Sequence, residues 1–168
     1  SVSNGQSIKG NKPGQVTIIP GASGKVTIGV SSGGNKIDDV TFDIKPVPAP
    51  TIVAAMSNGS PVDLAQAQAI GSLTGLKILA TPEPTFGRTM AKDANFEVTG
   101  GEVRLLRSDV PRQTIQISNG NSLAMRSLLE SARPGDDIVV VVNQVTRTNF
   151  RGNKIPTSLN QIIRIGVK

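Results

Sequence analysis

The chain has 168 residues, with 18 Lys and Arg against 12 Asp and Glu for a formal net charge of +6, and neither cysteine nor histidine. No disulfide or thiolate metal site can form, and the commonest general base and metal ligand is missing. With 18 glycines, 11 prolines, four Phe and no Trp or Tyr, the composition is that of a turn-rich β protein whose core is made of Val, Ile and Leu.

Residues 1–47 read as strand after strand. A short strand is expected at Gln6–Lys9, then Val16 and Ile18 alternate with polar residues, as do Val26, Ile28 and Val30, and Val40, Phe42 and Ile44. Pro13-Gly14, Pro20-Gly21 through Gly24, and Ser32-Gly33-Gly34-Asn35 supply the turns, so the segment is predicted to be a β-meander. An immunoglobulin-like domain needs about 100 residues and seven strands. The 47 residues are therefore expected to be the C-terminal strands of an Ig-like β-sandwich whose opening strands lie before Ser1. The start Ser-Val-Ser-Asn fits a piece of a longer protein.

Pro46, Pro48 and Pro50 then interrupt the pattern. Proline fixes φ, removes a donor and restrains the preceding residue, so neither helix nor inner strand continues here. Alternating prolines make an extended, stiff segment, at about 3.1 Å per residue. Pro46, Pro48 and Pro50 are read as an interdomain linker that restricts the orientation of two domains, with Ile52 and Val53 opening the second.

The second domain, 48–168, is mixed. Strand Ile52–Met56 meets an Asn58-Gly59 turn; Asp63 with Gln66 three residues on predicts a capped helix near 63–70, stopped by Gly71. Leu76–Leu79 is a strand, and Thr81–Asn95, with Pro82 and Pro84, is expected to be irregular. Phe96–Val98 and Val103–Arg107 flank Gly100-Gly101, which predicts a hairpin turn. Ile115 and Ile117 mark a strand. Asn119-Gly120 then turns into a helix near 122–132, in which Met125, Leu128, Leu129 and Ala132 share one face, closed by Pro134-Gly135. Ile138–Val142 is continuously apolar and predicts a strand covered on both faces. A polar loop follows, and Ile163, Ile165 and Val167 close the chain as a strand. The expected fold is thus mainly β: an N-terminal Ig-like β-sandwich fragment over 1–47, then a β-rich α+β C-terminal domain with two short helices.

Reactive constellations are not apparent. Asp38-Asp39 and Asp136-Asp137 are neighbours in sequence at strand ends, where adjacent side chains point to opposite faces and do not converge. Glycine pairs lack the GK[ST] ending of a phosphate loop. Neither catalytic, cofactor nor metal residues are assigned. The basic charge suggests anionic partners, yet stacking platforms for nucleic acid need aromatics and Phe150 alone lies near the basic C-terminal region, so nucleic acid is not expected. Arg147, Arg151 and Lys154, in the polar loop between two strands, are the candidate partner-binding residues. The apolar runs are all shorter than the roughly 20 residues a membrane helix needs.

Phe42-Asp43-Ile44-Lys45-Pro46-Val47-Pro48-Ala49-Pro50, followed by Ile52, resembles the F-x-V-K-x-V-P-x-P segment of the GldM/PorM family. The helix expected after Asp63, the Phe96 strand region, Pro134-Gly135-Asp136 before the Ile138–Val142 strand, and the final Ile163-Arg164-Ile165 strand agree in order, so the resemblance covers the whole chain. It implies a non-enzymatic, periplasmic structural component of the type IX secretion and gliding-motility machinery of Bacteroidetes. Such a protein is a homodimer and is anchored in the inner membrane by an N-terminal helix outside this chain. Through that helix it works with the GldL/PorL motor protein, and its far end reaches the outer-membrane-associated ring of GldK/PorK and GldN/PorN. This chain would be the distal end, transmitting energy or conformational change, with no cofactor. The alternative from the residues is a cell-surface adhesin or carbohydrate-binding β module, which needs an aromatic-lined concave site that the absence of Trp and Tyr disfavours. A hydrolase without histidine would need carboxylates converging from distant segments.

Overall fold

Alternating β-branched and polar residues set off by glycine turns become strands nearly everywhere the pattern occurs. The computed structural model describes residues 1–117 and 125–168. The chain divides into two compact units, Ser1–Val47 and Pro48–Lys168.

In the first unit, β1 (Val2–Ser3), β4 (Gly24–Ser32) and β5 (Asn35–Ile44) form a three-stranded antiparallel sheet in the order β1-β4-β5, and β2 (Gly5–Lys9) pairs with β3 (Val16–Pro20). Gly33 and Gly34, both at positive φ (58° and 84°), make the tight β4–β5 turn. The strands do not form the meander expected, because β3 does not pair with β4. Asn4, at φ 51°, redirects the chain after β1: its side-chain amide donates to the carbonyls of Ser23 and Lys25, and its carbonyl accepts from Gly21. β1 therefore takes the place beside β4. The register puts Val2, Val26, Ile28, Val40 and Phe42 on one face of this sheet, and Lys25, Thr27, Thr41 and Asp43 on the other. Only Val26 of that apolar face is fully buried; Val40 is 41% and Phe42 52% exposed.

The second unit is built on an antiparallel four-stranded sheet. Its order is β11 (Lys154–Gly166), β10 (Asp137–Thr148), β8 (Asn95–Arg107), β9 (Val110–Ile117). A smaller sheet pairs β6 (Thr51–Ala55) with β7 (Lys77–Thr81). The core joins one face of the large sheet (Val98, Val103, Leu105, Ile138, Val140, Ile163, Ile165) to Ile78 of β7, to Leu73 and Leu76, and to Met125 and Leu128 of the helix α2 (Met125–Glu130). It is aliphatic, as the shortage of aromatics requires. Each such side chain, fully buried, is worth about 1.5–3 kcal/mol of transfer free energy.

Several expectations are corrected. Residues 63–70 are not an α-helix. The Asp63 carboxylate accepts from Ala65 N in a local turn, its carbonyl takes the Gln68 side-chain amide, and Gln68 bridges to Val167 at the end of the chain. Only a 3-10 turn at Ile70–Leu73 follows. The Asp side chain has bonded two residues on, an alternative that competes with helix nucleation in so short a segment. Conversely, 81–95 holds a helix, α1 (Pro84–Thr89), with Pro84 at its first turn and the Glu83 carboxylate capping the N–H groups of Thr85 and Phe86. Gly100-Gly101 is not a hairpin turn: β8 runs straight through it, and the register shifts there against Val142–Val145. Ile138–Val142 is covered on one face only; Val139 and Val141 stay half-exposed on the other. The polar loop after Val142 is mostly the outer part of β10 and β11. The Asn119-Gly120 turn and the start of the helix expected near Ser122 lie outside the described residues. Within α2, Met125, Leu128 and Leu129 are buried as the periodicity required.

Candidate functional site

The three basic residues singled out from the sequence all lie at one end of the second unit, on the β10–β11 hairpin, but they do different things. Arg147 is not in a loop: it sits in β10 opposite Ile155 of β11 and Phe96 of β8. Its guanidinium Nη1 donates to the Asp93 carbonyl (3.2 Å) and lies 3.4 Å from Asp93 Oδ1. Both side chains are largely covered, 14% and 17% exposed. Arg147 therefore ties the segment after α1 to the hairpin and is not free to meet a partner. Lys154 opens β11 and pairs with Thr148, and Arg151 lies in the turn between. Both are exposed, and neither makes an ion pair among the described residues.

The turn itself is closely held. Asn149 N donates to Asn153 O (3.0 Å) and Gly152 N to Asn149 O (2.8 Å), with Gly152 at φ 79°. Asn149 Oδ1 accepts from the N–H groups of Arg151 and Asn153. Asp93 Oδ1, besides facing Arg147, accepts from Phe150 N (3.2 Å). Phe150 is thus fixed at the backbone, yet the residue is 43% exposed. Met90, whose carbonyl accepts from Asp93 N, and Ile155 are exposed large apolar side chains of the same end, and Lys92 adds an exposed cation. Sequence reasoning missed Asp93, because nothing local marks a carboxylate whose partners are 54 and 57 residues away.

The linker residues Pro46, Pro48 and Pro50 lie in a stretch, 45–50, without regular secondary structure; Pro46 is exposed and Pro50 buried. Where the chain enters the second unit, the Gln161 side chain of β11 donates to Pro50 O (3.2 Å) and accepts from Ile52 N (2.9 Å). One amide thus satisfies two backbone groups that no strand partner takes.

The other charged side chains act structurally. Asp136 is buried, and its carboxylate takes a bidentate pair of bonds from Arg107 Nε and Nη2 (2.8 Å each) and a third from Arg133 N. The Arg107 bonds hold the Asp136 carboxyl below the usual carboxylate range and raise the guanidinium. Arg164 joins Asp137 and Asp109, which raises its already high pKa. Glu83 is lowered by the two N–H groups it caps. Asp136 and Asp137 are thus each paired to a different arginine and do not form a carboxylate pair. Among the described residues no three acidic side chains are grouped as metal ligands, and no helix is long and apolar enough to cross a membrane.

Fold and charged networks together define a β-rich protein of two successive modules, whose ion pairs and capped turns hold shape. No curated protein matches the chain. Two family descriptions do match: "GldM C-terminal domain" over residues 48–168 and "GldM third domain" over residues 1–45. The chain belongs to the GldM family, a structural component of the gliding-motility and type IX secretion machinery.

Proposed function

We propose that this chain is a distal periplasmic part of the secretion and gliding machinery, a non-enzymatic module that links the inner-membrane motor to the outer-membrane-associated ring. The succession of third and C-terminal GldM domains in one chain carries the reading. In it, GldL/PorL acts through a membrane segment outside residues 1–168, and the second unit docks on GldK/PorK and GldN/PorN. The boundary of the two domains falls at 47/48, and Pro46, Pro48 and Pro50 form a stiff linker that transmits displacement, where a glycine-rich one would absorb it.

The protein works as a homodimer. The half-open apolar face of the β1-β4-β5 sheet supports this, since Val40 and Phe42 stay wet in a single copy. Face packing suits it better than edge pairing: β5 carries Asp38, Asp39 and Asp43 against the single Lys36, and two such strands side by side would bring net negative charge together. Pull-down of the 168-residue chain against purified ring proteins is the test, with light scattering for the dimer. Retention of the ring proteins and a mass of two chains is expected; no retention, with a well-folded chain, would overturn the docking reading.

A further inference from the structure

We propose that the hairpin tip of the second unit, centred on Phe150 and rimmed by Lys92, Arg151 and Lys154, is a docking surface for an acidic protein face with an apolar socket. The proposal rests on the reading above and names the part of the chain that makes the contact. Phe150 is one of only four aromatic residues in the chain. The unit could have covered it, since Phe96 a short way off is packed on the core. Phe150 instead stands 43% exposed at the apex of a turn that is hydrogen-bonded on both sides. Met90 and Ile155, 49% and 38% exposed, are further open apolar residues at this end of the unit, Ile155 opposite Arg147 on the face of the hairpin away from Lys154.

Around that centre the unpaired charges, Lys92, Arg151 and Lys154, are all positive. Elsewhere in the unit Arg104, Arg107, Arg126 and Arg164 each have an acidic partner, whereas Lys77, Arg88, Arg112, Arg133 and Lys168 make no ion pair among the described residues; what distinguishes the tip is that its free cations surround an exposed aromatic. The carboxylate next to Phe150, Asp93, is already bound by Arg147 and by Phe150 N, and Glu97 lies further along β8 opposite Thr146. Lys92, Arg151 and Lys154 make no ion pair among the described residues, so the tip presents net positive charge. An apolar, preorganised aromatic inside a polar rim is the anatomy of a protein-binding hot spot. The hydrogen-bonded turn favours a protein over a bilayer: a fluid surface gains nothing from a backbone apex held in one place, whereas a socket does. The cations set attraction and orientation during encounter.

The experiment is a titration of the full chain against the purified ring proteins at low and moderate salt. It compares wild type, Phe150→Ser, the double variant Arg151→Glu/Lys154→Glu, and Lys9→Glu/Lys12→Glu as a control of equal charge change on the first unit. Far-UV circular dichroism verifies that each variant is folded. The two tip variants are expected to weaken binding by about tenfold or more, and the double variant to flatten its salt dependence, with the control within about twofold of wild type. Phe150→Trp, the only tryptophan in that variant, should shift its emission to the blue on complex formation. Wild-type binding with all tip variants within about twofold would overturn the tip while leaving the functional reading intact. No wild-type binding would overturn the functional reading and the tip with it. Tip-dependent binding to phosphatidylglycerol vesicles, with ring binding unaffected by the substitutions, would replace the protein partner by a membrane.

Discussion

Gly101 is the position where one added atom should do most harm. It lies inside β8 at φ 149°, opposite Val142 of β10, at the register shift between the two central strands. A Cβ there would stand 2.2 Å from the Val141 carbonyl oxygen and 3.0 Å from Val142 Cα. An ordinary C···O approach is about 3.3 Å, so the overlap is about 1 Å and falls on backbone that cannot rotate away. Relief means moving β8 from β10 beside Val103 and Val140, both fully buried. Strained φ costs about 1–3 kcal/mol and overpacking about 1–3 kcal/mol more. Gly101→Ala should therefore cost about 4 kcal/mol, out of the 5–15 kcal/mol typical of a domain, and lower the melting temperature by roughly 15 °C. Gly152→Ala is the matched control: it also has positive φ, at 79°, but its Cβ meets nothing within 4 Å. It should cost about 1 kcal/mol. Thermal and urea unfolding followed by far-UV circular dichroism, with hydrogen exchange on β8 and β10 amides, gives both values. Equal losses for the two substitutions would refute the close approach as the cause.

Asp136 has a folded-state pKa below its unfolded value because Arg107 and Arg133 N bind the carboxylate. Its stabilisation is therefore fully present above about pH 4 and fades as pH falls through the folded pKa. Asp136→Asn should be less stable than wild type at pH 7, with the gap closing towards acid in urea titrations across pH. Gln161→Ala removes the amide from Pro50 O and Ile52 N and should cost about 1–2 kcal/mol, read most directly as faster hydrogen exchange at Ile52. Replacing Pro46, Pro48 and Pro50 together by Gly should leave both units folded by circular dichroism and reduce type IX secretion in cells. Secretion at the wild-type level by that variant would refute linker stiffness as a requirement.

Strand positions were largely legible because β-branched residues either alternate with polar ones, as in Val16–Ile18 and Val26–Val30, or run together, as in Ile138–Val142, and each of these sits in a strand. Long-range hydrogen bonding was not legible. Asp63 carries a helix-start signature, but the Gln68 side chain and the parallel bridge to Val167 draw the segment into another shape. Gly100-Gly101 reads as a turn in isolation and becomes a bulge only because β10 supplies an unpaired residue opposite. Arg147 and Arg151 look alike in sequence, and only the fold separates them, by placing Asp93 beside the first. The α1 helix had a signal that was available, a carboxylate cap followed by Pro84.

The most direct test of the docking role is site-specific photocrosslinking in cells. A benzoylphenylalanine at position 150 is compared with one at Ile162, which is more open to solvent (65% against 43%) on the sheet surface. The expected result is a crosslink from position 150, and not from 162, to a component of the outer-membrane-associated ring. Crosslinks from position 150 only to lipid or to the protein's own chain, in cells that still secrete, would contradict it.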